Sequence, residues 1–225
     1  MPFPVMLFAA GLGTRMGALT QNRPKPLIEV AGKALLDHAL GLCAPPVVRK
    51  TVVNLHYLGD QIAGHLKDRD VALSWEPTLL ETGGGLRAAL PLLGDGPVMT
   101  LNTDAVWTGR NPLAELADAW DDQMDALLLL TEVKNATGHT GTGDFLMGVD
   151  GRLQRANGTP GLVYLGAQII RTEALAAVPR KVFSLNLLWD QMISEGRAFG
   201  TIHNGGWCDV GQPASIALAE GMLHG

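Results

Sequence analysis

The sequence predicts an α/β fold in which a mostly parallel, mixed central sheet is covered by helices on both faces. Strand-like apolar runs alternate with helix-like segments over the first two-thirds of the chain. These runs are nearly continuous rather than alternating, which is typical of strands buried on both faces. A hydrophobic share of 47% in 225 residues suffices for a core. We therefore expect one domain over residues 1–225.

The predicted elements of this first part follow one another as strand and helix. Strands are predicted at residues 5–9, 51–55, 71–75, 98–101 and 126–133, where apolar and β-branched residues cluster. Helices are predicted at residues 34–42, 58–66, 85–93 and 112–120. Pro112 suits the first turn of the last of these helices, because its missing N–H is not needed there.

From about residue 144 the pattern shifts toward antiparallel structure. Residues 145–149 and 153–156 are predicted to form a hairpin, because Asp150-Gly151 favours a tight turn. An apolar strand at residues 162–170 follows, and then short helices at residues 173–178 and 185–195. Ser184 is a candidate N-cap for the second of these helices.

Charge and cysteine content exclude several classes of protein. The net charge is −5 and no basic stripe is present, which argues against nucleic acid or an anionic membrane as partner. No apolar run approaches the length of a membrane span. Cys43 and Cys208 are too few for a disulfide framework and fit a reducing compartment. A cytoplasmic protein is expected, and no oligomeric state is predicted.

A glycine-rich run at residues 9–16 and a lysine ten residues after Arg15 together indicate a phosphate site. The two glycines of the run let backbone N–H groups approach an anion, Arg15 supplies a fork of donors, and Lys25 supplies a compact charge. Pro24 and Pro26 restrict the backbone on both sides of Lys25 and favour an extended conformation there. A Gly-x-Gly alone would equally fit a surface turn.

Residues 11–16 and 24–27 resemble the signature of the sugar-1-phosphate nucleotidyltransferases, which make nucleotide sugars from an NTP and a sugar phosphate. Residues 81–85, 102–104 and 207–211 follow in the order of that family, so the resemblance covers nearly the whole chain. In length and pattern the chain is most similar to the short N-acetylmuramate-1-phosphate uridylyltransferases.

That resemblance implies a nucleotidyltransferase fold, which is glycosyltransferase-A-like, Rossmann-like and three-layered. Its nucleotide-binding part would span about residues 1–135. A small antiparallel sugar-binding lobe and closing helices would span about residues 136–225.

The residues expected to bind the nucleotide lie in loops beyond the carboxyl ends of the predicted strands, where ligands bind in such sheets. Arg15 and Lys25 are the candidate catalytic residues. Gly83 and Gly84 lie in a predicted loop at residues 81–85, and either present backbone groups to a pyrimidine or form a flexible linker. The full nucleotide-binding set is Ala9, Ala10, Gly11, Gly13, Thr14, Arg15, Lys25, Glu81, Gly83, Gly84 and Asn102.

Two aspartates are the candidate magnesium ligands. Asp104 directly follows a predicted strand, and Asp209 precedes the helix that Pro213 begins. Mg²⁺ takes one or two carboxylates and completes its shell with phosphate and water. By position alone each aspartate would also fit a turn. Thr103 stands where relatives usually carry Gly or Ser, which would tighten the space around the metal.

For the sugar, the resemblance points to Asn54, Gly143, Asp144, Asn157 and Gly166, each of which would also fit turn or strand-end chemistry. Relatives often carry an acidic residue where this chain has the segment that begins at Asn157. Three histidines, namely His56, His139 and His203, are predicted to be surface or packing residues.

The predicted activity is magnesium-dependent transfer of a nucleotidyl group, with UTP and a sugar 1-phosphate as substrates and pyrophosphate as product. The expected nucleotide sugar is UDP-N-acetylmuramate, which the resemblance links to cell-wall recycling. The alternatives are a thymidylyl-, guanylyl- or cytidylyltransferase that acts on another sugar 1-phosphate or on phosphocholine, and a nucleotide sensor without turnover. Retention of both cations and both aspartates argues against the sensor.

Overall fold

The computed structural model describes residues 2–225 and has a central sheet of nine strands. A three-stranded sheet and a two-stranded sheet lie beside it. The strands are β1 (Phe3–Phe8), β2 (Glu29–Val30), β3 (Lys33–Ala34), β4 (Val48–Leu55), β5 (Ala72–Trp75), β6 (Val98–Asn102), β7 (Ala105–Trp107), β8 (Ala126–Glu132), β9 (Ala136–Thr137), β10 (Phe145–Met147), β11 (Leu153–Arg155), β12 (Leu162–Ile170), β13 (Ala198–Ile202) and β14 (Trp207–Asp209).

Six α-helices accompany these strands: α1 (Leu35–Leu42), α2 (Gly59–Leu66), α3 (Glu81–Leu93), α4 (Pro112–Ala119), α5 (Asn186–Ser194) and α6 (Ala214–His224). Pro112 opens α4 as predicted, and the Asn111 side chain caps it by accepting from the N–H groups of Leu113 and Ala114. Among the described residues, no helix is long and apolar enough to cross a membrane.

The mostly parallel sheet predicted from the sequence is confirmed. β1 lies between β4 and β6 and is parallel to both, β5 continues the parallel part beside β4, and β13 is parallel to β8. β12 runs antiparallel between β6 and β8, and the β10–β11 hairpin extends the sheet beside β12. The shift toward antiparallel structure after residue 144 is therefore also confirmed.

Helices cover both faces of the central sheet, which gives three layers. Val5 and Leu7 of β1 point into one core, which α1, α2 and α4 complete, whereas Met6 points into the other, which α3 and α5 complete. Alternating side chains of one apolar run therefore reach opposite cores, which explains why the run has no polar positions. α6 packs separately against the small sheet β7–β14–β9.

The prediction of a loop at residues 81–85 is wrong, because α3 begins at Glu81 and contains the three glycines. The N–H groups of Gly83 and Gly84 both donate to the carbonyl oxygen of Phe183, at 2.9 and 3.0 Å. A Cβ added at Gly84 would lie 2.6 Å from the carbonyl oxygen of Lys181. The glycines thus let the chain at residues 181–183 cross the start of the helix at short distance.

Gly84→Ala is accordingly expected to lower the free energy of unfolding by about 1–3 kcal/mol, because the new methyl group meets backbone rather than a movable side chain. The matched control is Gly64→Ala in α2, where an added Cβ meets nothing within 4 Å. That change should stabilise the protein by about 0.5–1 kcal/mol through helix propensity. Urea unfolding of both variants measures the difference, and equal effects would contradict the packing role.

Candidate active site

Two adjoining cavities lie at the edge of the sheet where β1, β4, β5 and β6 end. The larger cavity has a volume of about 570 Å³ and the smaller one about 360 Å³. Arg15, Asn102 and Asp104 line both cavities, so the two meet at these side chains. Of the predicted nucleotide-binding residues, the larger cavity gathers Ala9, Ala10, Gly11, Gly13, Thr14, Arg15, Lys25, Glu81 and Asn102.

In the glycine-rich loop after β1, Gly13 packs closely against Lys25, whereas Gly11 faces open space. Gly13 has a φ of 65°, and a Cβ there would lie 2.9 Å from the Cβ of Lys25. Only glycine therefore accommodates both the left-handed backbone and the packing against the lysine. At Gly11 an added Cβ would meet nothing within 4 Å, so the loop faces open space there.

Lys25 is buried beneath this loop and forms an ion pair with Asp104. Its Nζ lies 2.8 Å from Asp104 Oδ2, and the exposed fractions of the two side chains are 11% and 32%. The predicted extended conformation of Lys25 is wrong, since Lys25–Leu27 is a 3₁₀ turn closed by the Ile28 N–H on the Lys25 carbonyl oxygen. The turn, rather than extended backbone between prolines, aims the ammonium group at the aspartate.

The small sheet brings Asp209 beside Asp104. Asp209 ends β14 and is paired with Ala105 of β7, and the Val210 N–H donates to the Asp104 carbonyl oxygen at 2.8 Å. Two carboxylates that are 105 residues apart in the chain thus line one cavity. Burial raises the pKa of Asp209 above its ordinary value, and the Asp104 charge raises it further. The charges of Lys25, Arg15 and His139 oppose that rise.

This pair of carboxylates fits a hard divalent cation that shares its shell with phosphate. Among residues 2–225, no group of three or more histidine, cysteine, aspartate or glutamate side chains could hold a metal ion. Two carboxylates suffice for Mg²⁺ only when phosphate and water supply the other ligands. A Cβ at Gly211 would lie 2.8 Å from Asp209 Oδ2 and 3.1 Å from Arg15 Nη1, so the glycine keeps these two groups accessible.

Thr103 does not turn its hydroxyl toward the two aspartates. Its Oγ1 donates to the carbonyl oxygen of Phe8 at 2.7 Å and ties the turn after β6 to the end of β1. The side chain is buried and lines the larger cavity. Thr103 therefore links the turn after β6 to the end of β1 in this chain.

Asn54, which the resemblance assigned to the sugar, lies beneath the glycine-rich loop and lines the larger cavity but not the smaller one. Its Oδ1 accepts the Ala9 N–H at 2.7 Å, and its Nδ2 donates to Glu76 Oε1 at 2.7 Å. Glu76 Oε2 in turn accepts the Leu80 N–H at 3.0 Å. These buried groups link the ends of β1, β4 and β5. Glu76 was missed, although its place directly after a strand could have indicated it.

The smaller cavity contains two of the residues predicted for the sugar. Asp144 Oδ2 accepts the Tyr164 N–H at 2.8 Å, which fixes the carboxylate at the start of the β10–β11 hairpin. Gly166 has a φ of 78° at the irregularity in β12, where an added Cβ would lie 2.7 Å from Asn102 Nδ2. Contacts within the site therefore fix the Asp144 carboxylate and leave no room for a side chain at Gly166.

Four residues predicted for the site line neither cavity: Gly83, Gly84, Gly143 and Asn157. Conversely, the sequence analysis missed a set of side chains on the walls of the smaller cavity, namely Arg155, Tyr164, Asn186, Trp189 and Trp207. They come from β11, β12, α5 and β14, and of the five only Trp207 lies in a segment that the resemblance had pointed to, residues 207–211. His139 also lines this cavity, whereas His203 is buried against Glu115 and packs as predicted.

Comparison with known proteins matches residues 5–182 to the family of the MobA-like NTP transferase domain. The chain is 41% identical to N-acetylmuramate alpha-1-phosphate uridylyltransferase of Caulobacter vibrioides, over 99% of this chain and 97% of that protein. The chain belongs to the MobA-like NTP transferase family. It is a nucleotidyltransferase of the sugar-1-phosphate type, which confirms the resemblance of its motifs.

Two further comparisons concern the sequence and the fold. The enzyme of the same name from Neisseria meningitidis serogroup B is 33% identical, over 96% of each chain. The crystal structure of a putative glucose-1-phosphate thymidylyltransferase from Bacillus anthracis superposes with a TM-score of 0.80 at 13% identity, and covers 97% of this chain and 94% of that one. At this identity the Bacillus anthracis structure shows that the two proteins share a fold.

For the NTP transferase, Asn54→Ala is expected to raise KM for the nucleotide about tenfold while KM for the sugar phosphate stays unchanged. The change leaves the Ala9 N–H and Glu76 Oε1 without their partner, so the loop loses its anchor, and a lost hydrogen bond of this kind costs about 1–3 kcal/mol. Steady-state kinetics with each substrate varied in turn measures the effect. Asn135→Ala, at an exposed position, is the control. A selective rise in KM for the sugar phosphate would support the original sugar prediction instead.

Proposed function

We propose that this NTP transferase moves the uridylyl group of UTP to N-acetylmuramate 1-phosphate and releases pyrophosphate. The observation that carries the proposal is the meeting of the two cavities at Arg15, Asn102 and Asp104, beside the Lys25–Asp104 ion pair. A triphosphate in the larger cavity and a sugar phosphate in the smaller one would place their phosphates together there. The names of the full-length relatives support the choice of UTP and of the sugar.

The reaction forms a bond between an oxygen of the sugar phosphate and the α-phosphorus of UTP and breaks the bond from that phosphorus to the bridging oxygen of pyrophosphate. The attacking oxygen is ionised near neutral pH, so no general base is required. Catalysis then depends on position and charge. We assign Arg15 to the β- and γ-phosphates, and Lys25 to the α-phosphate and the sugar phosphate. Both cations line the larger cavity, as that assignment needs.

Asp104 and Asp209 are the residues that would hold Mg²⁺. When bound, the ion supplies neutralisation of the charge on the phosphates. Burial, and after it the charge of Asp104, raise the pKa of Asp209, and a cation bound at this carboxylate would favour its ionised form. The chemistry of this donor set therefore fits the cofactor that the family resemblance implies.

Recognition of the base is assigned to the loop after β1 and to the first turn of α3. The N–H groups of Gly83 and Gly84 are used by Phe183. Glu81 and Thr82 line the larger cavity instead, together with Ala9 and Ala10. We further propose that residues 1–135 serve the nucleotide and residues 136–225 the sugar, and that the enzyme works in the cytoplasm.

A panel of nucleotides and sugar phosphates tests the function. Pyrophosphate release is measured with UTP, TTP, GTP and CTP against N-acetylmuramate 1-phosphate, N-acetylglucosamine 1-phosphate, glucose 1-phosphate and phosphocholine, in the presence of MgCl₂. The highest kcat/KM is expected for UTP with N-acetylmuramate 1-phosphate. A higher value for another pair would assign the enzyme to that substrate. Nucleotide binding by calorimetry without release from any pair would instead indicate a sensor.

A further inference from the structure

Arg155 at the end of β11 is held rigidly on the wall of the smaller cavity. Its Nε donates to Asp190 Oδ1 at 2.8 Å, and its Nη2 lies within 3.2 Å of the carbonyl oxygen and 3.0 Å of the side-chain oxygen of Asn186. The guanidinium carbon also lies 4.9 Å from the ring centre of Phe145 and 5.6 Å from that of Trp189. The plane of the guanidinium is therefore fixed before any ligand arrives.

These contacts involve Nε and Nη2, so the two hydrogens on Nη1 take no part in them. Arg155, Asn186, Trp189 and Phe145 all line the smaller cavity. Asp190 is not part of that lining, and its side chain is 63% exposed, so solvent screens its attraction to the arginine. The cavity thus receives a cation whose partner carboxylate lies outside.

The charges of the smaller cavity show what this cation could serve. Three aspartates, Asp104, Asp144 and Asp209, line the cavity and would repel an acidic ligand. Arg15 is the second arginine of the wall, but it also lines the larger cavity, where we assign it to the triphosphate. Arg155, by contrast, lines the smaller cavity and not the larger one. A carboxylate on the sugar would therefore find its counter-charge in Arg155.

The geometry points to Arg155 as a specificity-determining residue that binds a carboxylate carried by the sugar, in addition to its phosphate. This inference rests on the proposed function, in which the sugar is N-acetylmuramate. That sugar differs from N-acetylglucosamine by a lactyl ether that ends in a carboxylate. The guanidinium is held in place through Nε and Nη2, and Nη1 still offers its two N–H donors and a permanent positive charge to a carboxylate.

The test compares the same two sugar phosphates in wild type and in Arg155→Gln, with UTP and MgCl₂. We expect kcat/KM for N-acetylmuramate 1-phosphate to fall by about 10- to 100-fold, which is the range for a lost hydrogen-bonded charge. For N-acetylglucosamine 1-phosphate, which lacks the carboxylate, we expect a change of less than about threefold. Arg155→Lys should retain part of the preference. Arg152→Gln, at an exposed arginine paired with Asp150 beyond the cavity, is the control and should change neither value.

Equal losses for both sugars in Arg155→Gln would overturn the inference, because a mere clamp between β11 and α5 would affect both alike. Unchanged kinetics for both would overturn it as well. Melting temperatures show whether Arg155→Gln has a folding defect. If it has, the kinetics of Arg155→Lys replace those of Arg155→Gln, and loss of the same factor for both sugars in Arg155→Lys would overturn the inference. If wild type turns over no N-acetylmuramate 1-phosphate, the proposed function fails by itself. Glucuronate 1-phosphate against glucose 1-phosphate then replaces the pair, and absence of an Arg155-dependent preference for the acid overturns the inference.

Discussion

Lys25→Ala is expected to lower kcat by about 100-fold or more, since a preorganised charge at the transferring phosphate contributes roughly 3 kcal/mol. The lysine is fixed under the glycine-rich loop, with its Nζ 2.8 Å from Asp104 Oδ2. The side chain of Asp104 is 32% exposed, so water can solvate it when the ammonium group is lost. Folding should therefore suffer much less than turnover. Pyrophosphate release and thermal melting measure the two effects separately.

Two companion variants sharpen this experiment. Lys67→Ala removes a lysine whose side chain is 74% exposed and should leave kcat unchanged. Lys25→Arg keeps the charge but needs more room than the site gives, because Gly13 already packs closely on the Cβ of Lys25. It should restore only part of the lost turnover. Turnover near the wild-type value in Lys25→Ala would remove the central role of the lysine.

The fold of the first two-thirds of the chain was predictable because strands that are buried on both faces appear in the sequence as nearly continuous apolar runs. The strand predicted at residues 98–101 and the helix predicted at residues 112–120 each match an element within one residue at either end. β13 was missed, although it is five residues long, because glycine and threonine interrupt its apolar pattern. β9 and β14 have two and three residues, too few to show any periodicity.

The site was predictable where a residue follows a strong strand and not where strand pairing is needed. Asp104 and the loop after β1 follow from the edge of the parallel sheet. The approach of Asp209 to Asp104 depends on the pairing of β14 with β7, which no local pattern encodes, so Asp209 was named through the family resemblance and not from strand order. The glycines of α3 illustrate the opposite error. A run of three glycines suggests a loop, but here tertiary contact with residues 181–183 outweighs the low helix propensity.

Asp209→Asn is expected to nearly abolish turnover and at the same time to stabilise the fold. The loss of a carboxylate that would hold Mg²⁺ removes several kcal/mol of transition-state stabilisation, so kcat should fall by about 100-fold or more. The gain in stability follows from the raised pKa of Asp209. Burial and the Asp104 charge disfavour the ionised form in the folded state, whereas the unfolded chain ionises at the ordinary value of 3.8.

The sign of this effect sets its pH dependence. Between 3.8 and the raised pKa the folded protein holds the proton more tightly than the unfolded chain, so stability falls as the pH rises through that interval. Above it the full cost is present, and the neutral amide avoids that cost. In EDTA, Asp209→Asn should therefore melt at a higher temperature than wild type at pH 7, where each 1 kcal/mol corresponds to about 2–4 °C in a chain of this size.

Three comparisons make the result specific. The difference in melting temperature should shrink as the pH is lowered toward 3.8, because Asp209 of the wild type then becomes protonated. Addition of MgCl₂ and UTP should raise the melting temperature of wild type more than that of the variant. Asp95→Asn, at an exposed position, should show neither effect. A variant less stable than wild type at pH 7 would mean that Asp209 serves the fold, and then loss of activity alone could not assign it to the metal.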